Sequence, residues 1–151
     1  PGTGISLQNR GYGFSLKPGH ANLVGPRKRP FHTIIPGFVA RNGKPLMSFG
    51  VMGGSMQAQG HTQVVIRMVD YHQNPQAAAD GPRWRVDTGL AVNVEQPISA
   101  ETMAELKARG HAIQQAGWWS TDFGRAQLIY RMEDGYLGAS RGRTYGQAVG
   151  F

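Results

Sequence analysis

The residue pattern with the clearest chemical potential is a pair of adjacent glycines, Gly53 and Gly54, between an apolar run and a helical pattern. Glycine adopts backbone angles that other residues resist, and it lets a ligand approach the bare backbone. Backbone N–H groups at the start of a helix are unpaired and carry the positive end of the helix dipole. The pair is therefore suited to binding an anion or a developing oxyanion. The alternative is a plain tight turn without a ligand, which the same residues would also form.

Five segments give this glycine pair its context: GTGISLQNRG (2–11), KRPFHTIIP (28–36), FGVMGGSMQAQGH (49–61), DYHQNP (70–75) and ADGPR (79–83). In this order and at these spacings, the chain resembles the C-terminal part of the small subunit of γ-glutamyltranspeptidase-like proteins. The resemblance continues through YLGAS (136–140) and covers nearly the whole chain. That family belongs to the N-terminal-nucleophile hydrolases, whose exposed N-terminal threonine serves as both nucleophile and base.

The resemblance implies roles for two groups of residues. Gly53 and Gly54 match the glycines whose backbone N–H groups form the oxyanion hole of the family. His32 and Thr33 match a polar pair that contacts the substrate carboxylate. The alternative for His32 is a structural role, in which its ring forms hydrogen bonds with the backbone. Ser55 is a candidate helix cap.

The sequence departs from true γ-glutamyl transferases at the position before Phe14. Transferases carry an acidic residue there, which grips the α-amino group of the substrate, whereas this chain has Gly13. Arg10 stands where the family commonly has a neutral amide, and arginine binds carboxylates with two parallel hydrogen bonds. The departure resembles the acylase branch, which hydrolyses glutaryl-type amides. A surface salt bridge is the alternative role for Arg10.

The nucleophile of the resembled family has no counterpart here. The sequence begins at Pro1, and Thr3 matches a later segment of the family. We therefore expect the nucleophile and a large subunit to come from an upstream part of the same precursor, and this chain alone to be inactive on small-molecule amides. A noncatalytic binding or assembly domain with the same fold is the alternative.

Glycines and prolines divide the chain into short elements. The 22 glycines and nine prolines favour strands with turns over a helical bundle. Asn42-Gly43 predicts a hairpin between strands at 38–41 and 46–49, and Asp134-Gly135 predicts another between 126–132 and 136–139. Within residues 1–30, a short strand at 5–7 is expected to be followed by a long irregular stretch, and weaker strand candidates are residues 82–95 and 144–150.

Three helices are predicted between these strands. Apolar residues at helical spacing predict the first over 56–73, which Asn74-Pro75 would end. A short helix follows at 75–80. The third begins at the cap Ser99 and closes at Gly110.

These elements predict an α+β layered fold in a single domain, residues 1–151. The resemblance implies that the fold is part of an αββα sandwich, in which stacked antiparallel sheets lie between helical layers. A sheet without its neighbouring strands exposes edges and an apolar face, so we expect the isolated chain to self-associate.

Composition argues against binding of nucleic acid, a membrane span and a metal site. The formal charge of +7 attracts anions, but the basic residues are scattered and no aromatic-basic platform for nucleic acid is present. No apolar run is long enough to predict a membrane span. The sequence has no cysteine and its histidines lack ligand spacing, so no metal or other cofactor is expected. Composition leaves the choice between cytoplasm and periplasm open.

Overall fold

The structure is a computed structural model that describes residues 2, 4, 8–118, 120–142 and 146–149. Contacts divide the chain into two compact units, Pro1–Ile34 and Ile35–Phe151. The single domain over 1–151 stays a prediction. Among the described residues, no helix has the length and apolar character needed to cross a membrane.

The first unit consists mainly of turns stabilised by local hydrogen bonds. A short 3₁₀ helix, Arg10–Gly13, is followed by a loop in which Ser15 forms a β-bridge with Leu23. The Ser15 N–H donates to the Asn22 carbonyl at 2.8 Å, and the Val24 N–H donates to the Ser15 carbonyl at 2.9 Å. The irregular character of this region follows the prediction, and the strand predicted at 5–7 lies outside the described residues.

The second unit carries the helices and sheets. Its described elements, in chain order, are β1 (Gly37–Arg41), β2 (Lys44–Val51), α1 (Met56–Val69), α2 (Pro75–Asp80), β3 (Trp84–Thr88), β4 (Ala91–Val94), α3 (Ala100–Ala108), β5 (Ala112–Gln115), β6 (Ala126–Arg131) and β7 (Tyr136–Ser140).

Four antiparallel strands form the larger sheet, in the order β1-β2-β6-β7. Both predicted hairpins are present in it. Asn42 and Gly43 have φ of +52° and +73°, the left-handed pair that a two-residue hairpin turn requires.

The core lies between this sheet and the first two helices. Alternate residues of β2 point to one face, where Met47, Phe49 and Val51 are buried. Val64 of α1 and Ala79 of α2 belong to the same apolar cluster. The helices therefore cover one face of the sheet, and the β2–α1 connection carries the glycine pair.

The smaller sheet has the order β3-β4-β5 and is mixed. β3 and β4 fall within the predicted region 82–95 and pair antiparallel. β5 was not predicted, and it pairs parallel with β4 because α3 crosses between them. Residues 146–149 do not form a strand, and the rest of the 144–150 candidate lies outside the described residues.

The predicted end of the first helix is wrong by four residues. α1 ends at Val69 and not at Gln73. The Tyr71 N–H donates to the Ile66 carbonyl at 3.2 Å, and His72 then takes a left-handed φ of +52°. These local bonds end the helix before Asn74-Pro75 can do so. The cap of α3 is as predicted, since the Ser99 side chain accepts from the Thr102 N–H at 3.1 Å.

Candidate active site

The glycine pair forms a sharp turn between β2 and α1. Gly53 has φ of +129° and Gly54 has φ of +61°, both outside the range that most side chains adopt. A Cβ added at Gly53 would lie 3.1 Å from the Met56 Cβ and 3.2 Å from the Gly124 Cα. A Cβ added at Gly54 would meet no atom within 4 Å. Gly53 is thus packed against its neighbours, while Gly54 faces open space.

The carbonyl groups of this turn are hydrogen-bonded, whereas its glycine N–H groups are not bonded within the described residues. The Gly53 and Gly54 carbonyls accept from the Met56 and Gln57 N–H groups, each at 3.1 Å. Neither the Gly53 nor the Gly54 N–H donates a hydrogen bond to any residue in the described part of the chain. Ser55 occupies the N-cap position of α1, but its side chain makes no capping bond, so the predicted cap is not formed.

The segment before β6 supports the turn from one side. A Cβ added at Gly124 would lie 1.8 Å from the Met52 carbonyl oxygen, so only glycine fits there without a backbone shift. The Met52 N–H donates to the Arg125 carbonyl at 3.1 Å, one step beyond the β2–β6 pairing. The position of the Gly53-Gly54 turn therefore depends on the position of residues 124 and 125.

A buried arginine holds that segment in place. Arg83 is 0% exposed, and its Nη1 donates to the Phe123 and Gly124 carbonyls at 3.1 and 3.0 Å. Its Nη2 donates to the Ala79 carbonyl in α2 at 2.8 Å. Its guanidinium joins α2 to the segment that packs under the glycine turn.

The rest of the ADGPR motif is also structural. A Cβ added at Gly81 would lie 1.9 Å from the Arg67 Nη1, so glycine makes room for this guanidinium, which donates to the Pro82 carbonyl. Burial lowers the pKa of Arg67, and nearby Arg141 lowers it further, whereas Glu95 raises it. Glu95 is buried, pairs with Arg141 and accepts from the Arg83 N–H at 2.8 Å.

A second group of candidate residues meets in the first unit. The Arg10 Nη1 donates to the Thr33 Oγ1 across 23 positions of sequence. A cavity of about 200 Å³ lies beside them, lined by Asn9, Arg10, Tyr12, Gly13, Phe31 and Thr33. Two of the predicted substrate-binding residues therefore share one cavity with Gly13, the position at which the transferase acid is missing.

The surroundings of Arg10 do not fit a surface salt bridge. Within the described residues, no carboxylate forms an ion pair with its guanidinium. Its Nε is buried and has no hydrogen-bond partner there. A buried donor without an acceptor costs about 1–3 kcal/mol of stability. A bound anion would supply the missing acceptor, so this guanidinium is suited to bind one.

His32 is placed differently from its neighbour Thr33. It is exposed and is not among the residues that line the cavity. Its Nδ1 lies 3.2 Å from both the N–H and the carbonyl oxygen of Ile34. The neutral ring can accept from the N–H there, while a protonated Nδ1 can donate to the carbonyl. The substrate contact predicted for His32 stays a prediction.

Sequence reasoning missed the residues that support the glycine turn. Gly124 stands in a short run, Asp122-Phe123-Gly124, that matches no motif used above. Glu95 and Arg141 are 46 positions apart, so no local pattern connects them. Among these residues, only Arg83 belongs to a motif used in the sequence analysis, ADGPR. That motif supported the family resemblance but did not predict the packing under the glycine turn.

Comparisons with known proteins agree with the resemblance. The sequence model of the family described as gamma-glutamyltranspeptidase matches residues 1–151. The chain is 40% identical over 154 residues to the glutathione hydrolase-like YwrD proenzyme of Bacillus subtilis, covering 98% of this chain and 29% of the relative. It is 32% identical to the oxamate amidohydrolase proenzyme of Klebsiella pneumoniae, covering 100% of this chain and 30% of the relative.

Solved structures give the same result for the fold. A cephalosporin acylase from Bacillus halodurans matches with a TM-score of 0.79 and 49% identity, covering 97% of this chain and 28% of that one. A γ-glutamyltranspeptidase from Pseudomonas nitroreducens, complexed with L-DON, matches with a TM-score of 0.72 and 27% identity, covering 99% and 82%. The chain thus spans under a third of the curated relatives it matches.

Proposed function

The chain belongs to the gamma-glutamyltranspeptidase family, and we propose that it supplies the oxyanion hole and part of the substrate wall of an amide hydrolase or acyltransferase. Its relatives include hydrolases and acylases, and its α+β fold is that of their N-terminal-nucleophile structures. Because the chain spans under a third of the curated relatives, we propose that a large subunit and an N-terminal threonine nucleophile belong to the remainder of the precursor.

The observation that carries the proposal is that the Gly53 and Gly54 N–H groups have no hydrogen-bond partner among the described residues. When the threonine oxygen attacks an amide carbonyl, the carbonyl oxygen becomes an oxyanion. Fixed N–H donors stabilise that oxyanion without reorganisation. The C–N bond then breaks, the amine leaves with a proton, and the acyl group remains on threonine until water or another acceptor takes it.

The cavity in the first unit supports a substrate class. Arg10 offers a guanidinium without an ion-pair partner among the described residues, and Thr33 offers a hydroxyl beside it. Gly13 offers no carboxylate for an α-amino group. These features favour an acyl group that ends in a carboxylate and lacks the α-amine, such as glutaryl. His32 remains a candidate for the same carboxylate.

Gly54→Val in the complete processed enzyme tests the oxyanion role. Valine disfavours the left-handed backbone and places two methyl groups in the open space beside Gly54. We expect turnover of a glutaryl amide to fall by about 10²–10³, the cost of losing one oxyanion donor.

Gly89→Val is the matched control. Gly89 has φ of +53° and open space around its missing Cβ, so valine meets the same backbone strain there, outside the glycine turn. The control should retain turnover while losing similar thermal stability. Equal turnover losses in the two variants would contradict the oxyanion role. A wild-type enzyme that binds but never cleaves amides would favour the noncatalytic alternative.

A further inference from the structure

The last residues of β2 lose their strand partner just before the glycine turn. β1 begins at Gly37, opposite Phe49, so Val51 lies beyond the paired part of β1. Ile35, which would continue β1, donates its N–H at 3.2 Å to the Gln57 side chain of α1 instead. The Val51 N–H on this side therefore needs an acceptor from outside the sheet.

His61 provides that acceptor. Its Nε2 accepts from the Val51 N–H at 2.9 Å, and its ring packs edge-on against Phe49 with a centroid separation of 4.9 Å. The preceding residue makes this approach possible, because a Cβ added at Gly60 would lie 2.6 Å from a Val51 methyl carbon. A Gly-His pair on α1 thus contacts both the side chain and the backbone of Val51.

Residues 51 and 52 are consequently held from two sides. Gly60 and His61 contact Val51 from α1, and Gly124 packs against the Met52 carbonyl and Val51 from the other side. Gly53 follows directly. From this geometry we propose that His61 is a positioning residue, which fixes the Gly53-Gly54 turn through its hydrogen bond to Val51. This inference rests on the proposed oxyanion role of the turn.

The bond exists only while the His61 Nε2 is unprotonated. Burial lowers the pKa of His61 from its usual 6.5, so the folded chain favours the neutral ring. The elements that pack on α1 are β2, α2 and β3, whose ionisable residues are Lys44, Asp80, Arg85 and Asp87, and α1 itself adds Arg67. Because the folded protein resists protonation, the stability due to this bond is full above pH 6.5 and is lost as the pH falls below it.

Kinetics of the complete processed enzyme test the role with three variants. His61→Gln keeps an acceptor that does not titrate, His61→Met fills the space without a comparable acceptor, and His72→Asn changes an exposed histidine whose left-handed backbone suits asparagine. At pH 7.5 we expect His61→Met to lower kcat by about tenfold to 10²-fold, the cost of misplacing a reacting group, with KM changed less than about twofold. His61→Gln and His72→Asn should stay near the wild type.

The pH profile separates positioning from simple packing. The ratio of wild-type kcat to His61→Gln kcat should fall as the pH is lowered progressively below 6.5, because only the wild-type ring loses its acceptor on protonation. The titration of any group that both enzymes share cancels in the ratio. A flat ratio would overturn the proposal, as would a His61→Met enzyme with unchanged kcat.

Hydrogen exchange at the Val51 N–H tests the bond without activity. In the same complete protein at pH 7.5, this amide should exchange at least about tenfold faster in His61→Met than in the wild type or His61→Gln. Equal exchange in all three would overturn the positioning role. Inactivity of the wild type on every amide would instead count against the proposed function, and the exchange result would still decide whether His61 holds the strand end.

Discussion

At the residue scale, the cavity beside Arg10 is distinguished by a guanidinium at position 10 and by the lack of a carboxylate at position 13. Gly13 stands where the resemblance places an acidic residue that grips an α-amino group, and the Arg10 Nη1 donates to the Thr33 Oγ1. A hydroxyl and a guanidinium side by side form a donor pair that matches a carboxylate. The aromatic rings of Tyr12 and Phe31, both largely exposed, border the same cavity.

Arg10→Ala should change specificity more than turnover. In the complete enzyme, we expect kcat/KM for a glutaryl amide to fall by about tenfold to 10²-fold, the worth of a charged hydrogen bond of about 1.5–3 kcal/mol. An uncharged acyl amide of the same length should be cleaved as before, because it makes no bond to the guanidinium. The measurement is the ratio of the two specificity constants.

Arg109→Ala is the matched control for this ratio. Arg109 is exposed and pairs with Glu105 one helical turn away, an arrangement that contributes little. It should leave both constants unchanged. If Arg10→Ala also left the ratio unchanged, the acylase-type specificity would rest on Gly13 alone.

At the element scale, the glycine turn depends on elements that are distant in the sequence. β2 leads into it and α1 leads out of it, while Arg83 joins α2 to residues 123 and 124 beneath it. A single guanidinium bonds three backbone carbonyls, so its planar fork fixes two segments relative to each other. The N–H groups proposed as oxyanion donors are thus supported by residues outside the glycine turn itself.

Arg83→Met should destabilise the protein strongly. The variant leaves three buried carbonyls without the guanidinium that bonds them. We expect a loss of about 3–5 kcal/mol in the free energy of unfolding, because each buried group left without its hydrogen-bond partner costs about 1–3 kcal/mol. Urea denaturation of the complete protein measures it.

Arg85→Met serves as the comparison for Arg83. Arg85 lies two positions away and pairs with Asp87 at 2.7 Å on a partly exposed strand. Its loss should cost less than about 1 kcal/mol. Similar losses for the two variants would show that the carbonyl bonds of Arg83 contribute nothing beyond a surface pair.

At the scale of the whole molecule, helices cover one face of the larger sheet of the second unit, while Gly146 and Ala148 contact part of the other face at Ser140, Gln127 and Gly138. Its helix-covered face holds the core, whereas Phe38 and Ile129 occupy one cross-strand row on the other face and are exposed. Tyr136 is exposed beside them, and β1 and β7 are the edges of this sheet. This exposed apolar row and the two edge strands favour association with another sheet.

The isolated chain should therefore self-associate, and Phe38→Ser combined with Ile129→Ser should reduce this association. Sedimentation velocity over a range of protein concentrations measures it. Raised salt should not abolish it, because apolar contact is not screened as charge attraction is. Leu16→Ser removes a still more exposed apolar side chain from the first unit and should have no effect. A strictly monomeric wild-type chain would contradict this prediction.

The sequence by itself determined the features that local chemistry controls. Asn42-Gly43 specified its hairpin because those residues tolerate the left-handed turn, and Ser99 specified the start of α3 because its hydroxyl caps the helix. The segments around Gly53 and Gly54 predicted the family and the α+β fold, which the comparisons confirm. The roles assigned to Gly53, Gly54, Arg10, His32 and Thr33 stay predictions.

Only the tertiary structure decided which residues that are distant in the sequence contact each other. It pairs β5 with β4 in parallel, places Arg83 under the glycine turn and brings His61 to the end of β2. No local sequence pattern predicts these contacts, because the position of a histidine or an arginine in the sequence does not indicate whether its side chain is buried or exposed. Their stability comes from satisfying backbone donors and acceptors that the fold has already removed from water, a requirement that arises only once the chain has packed.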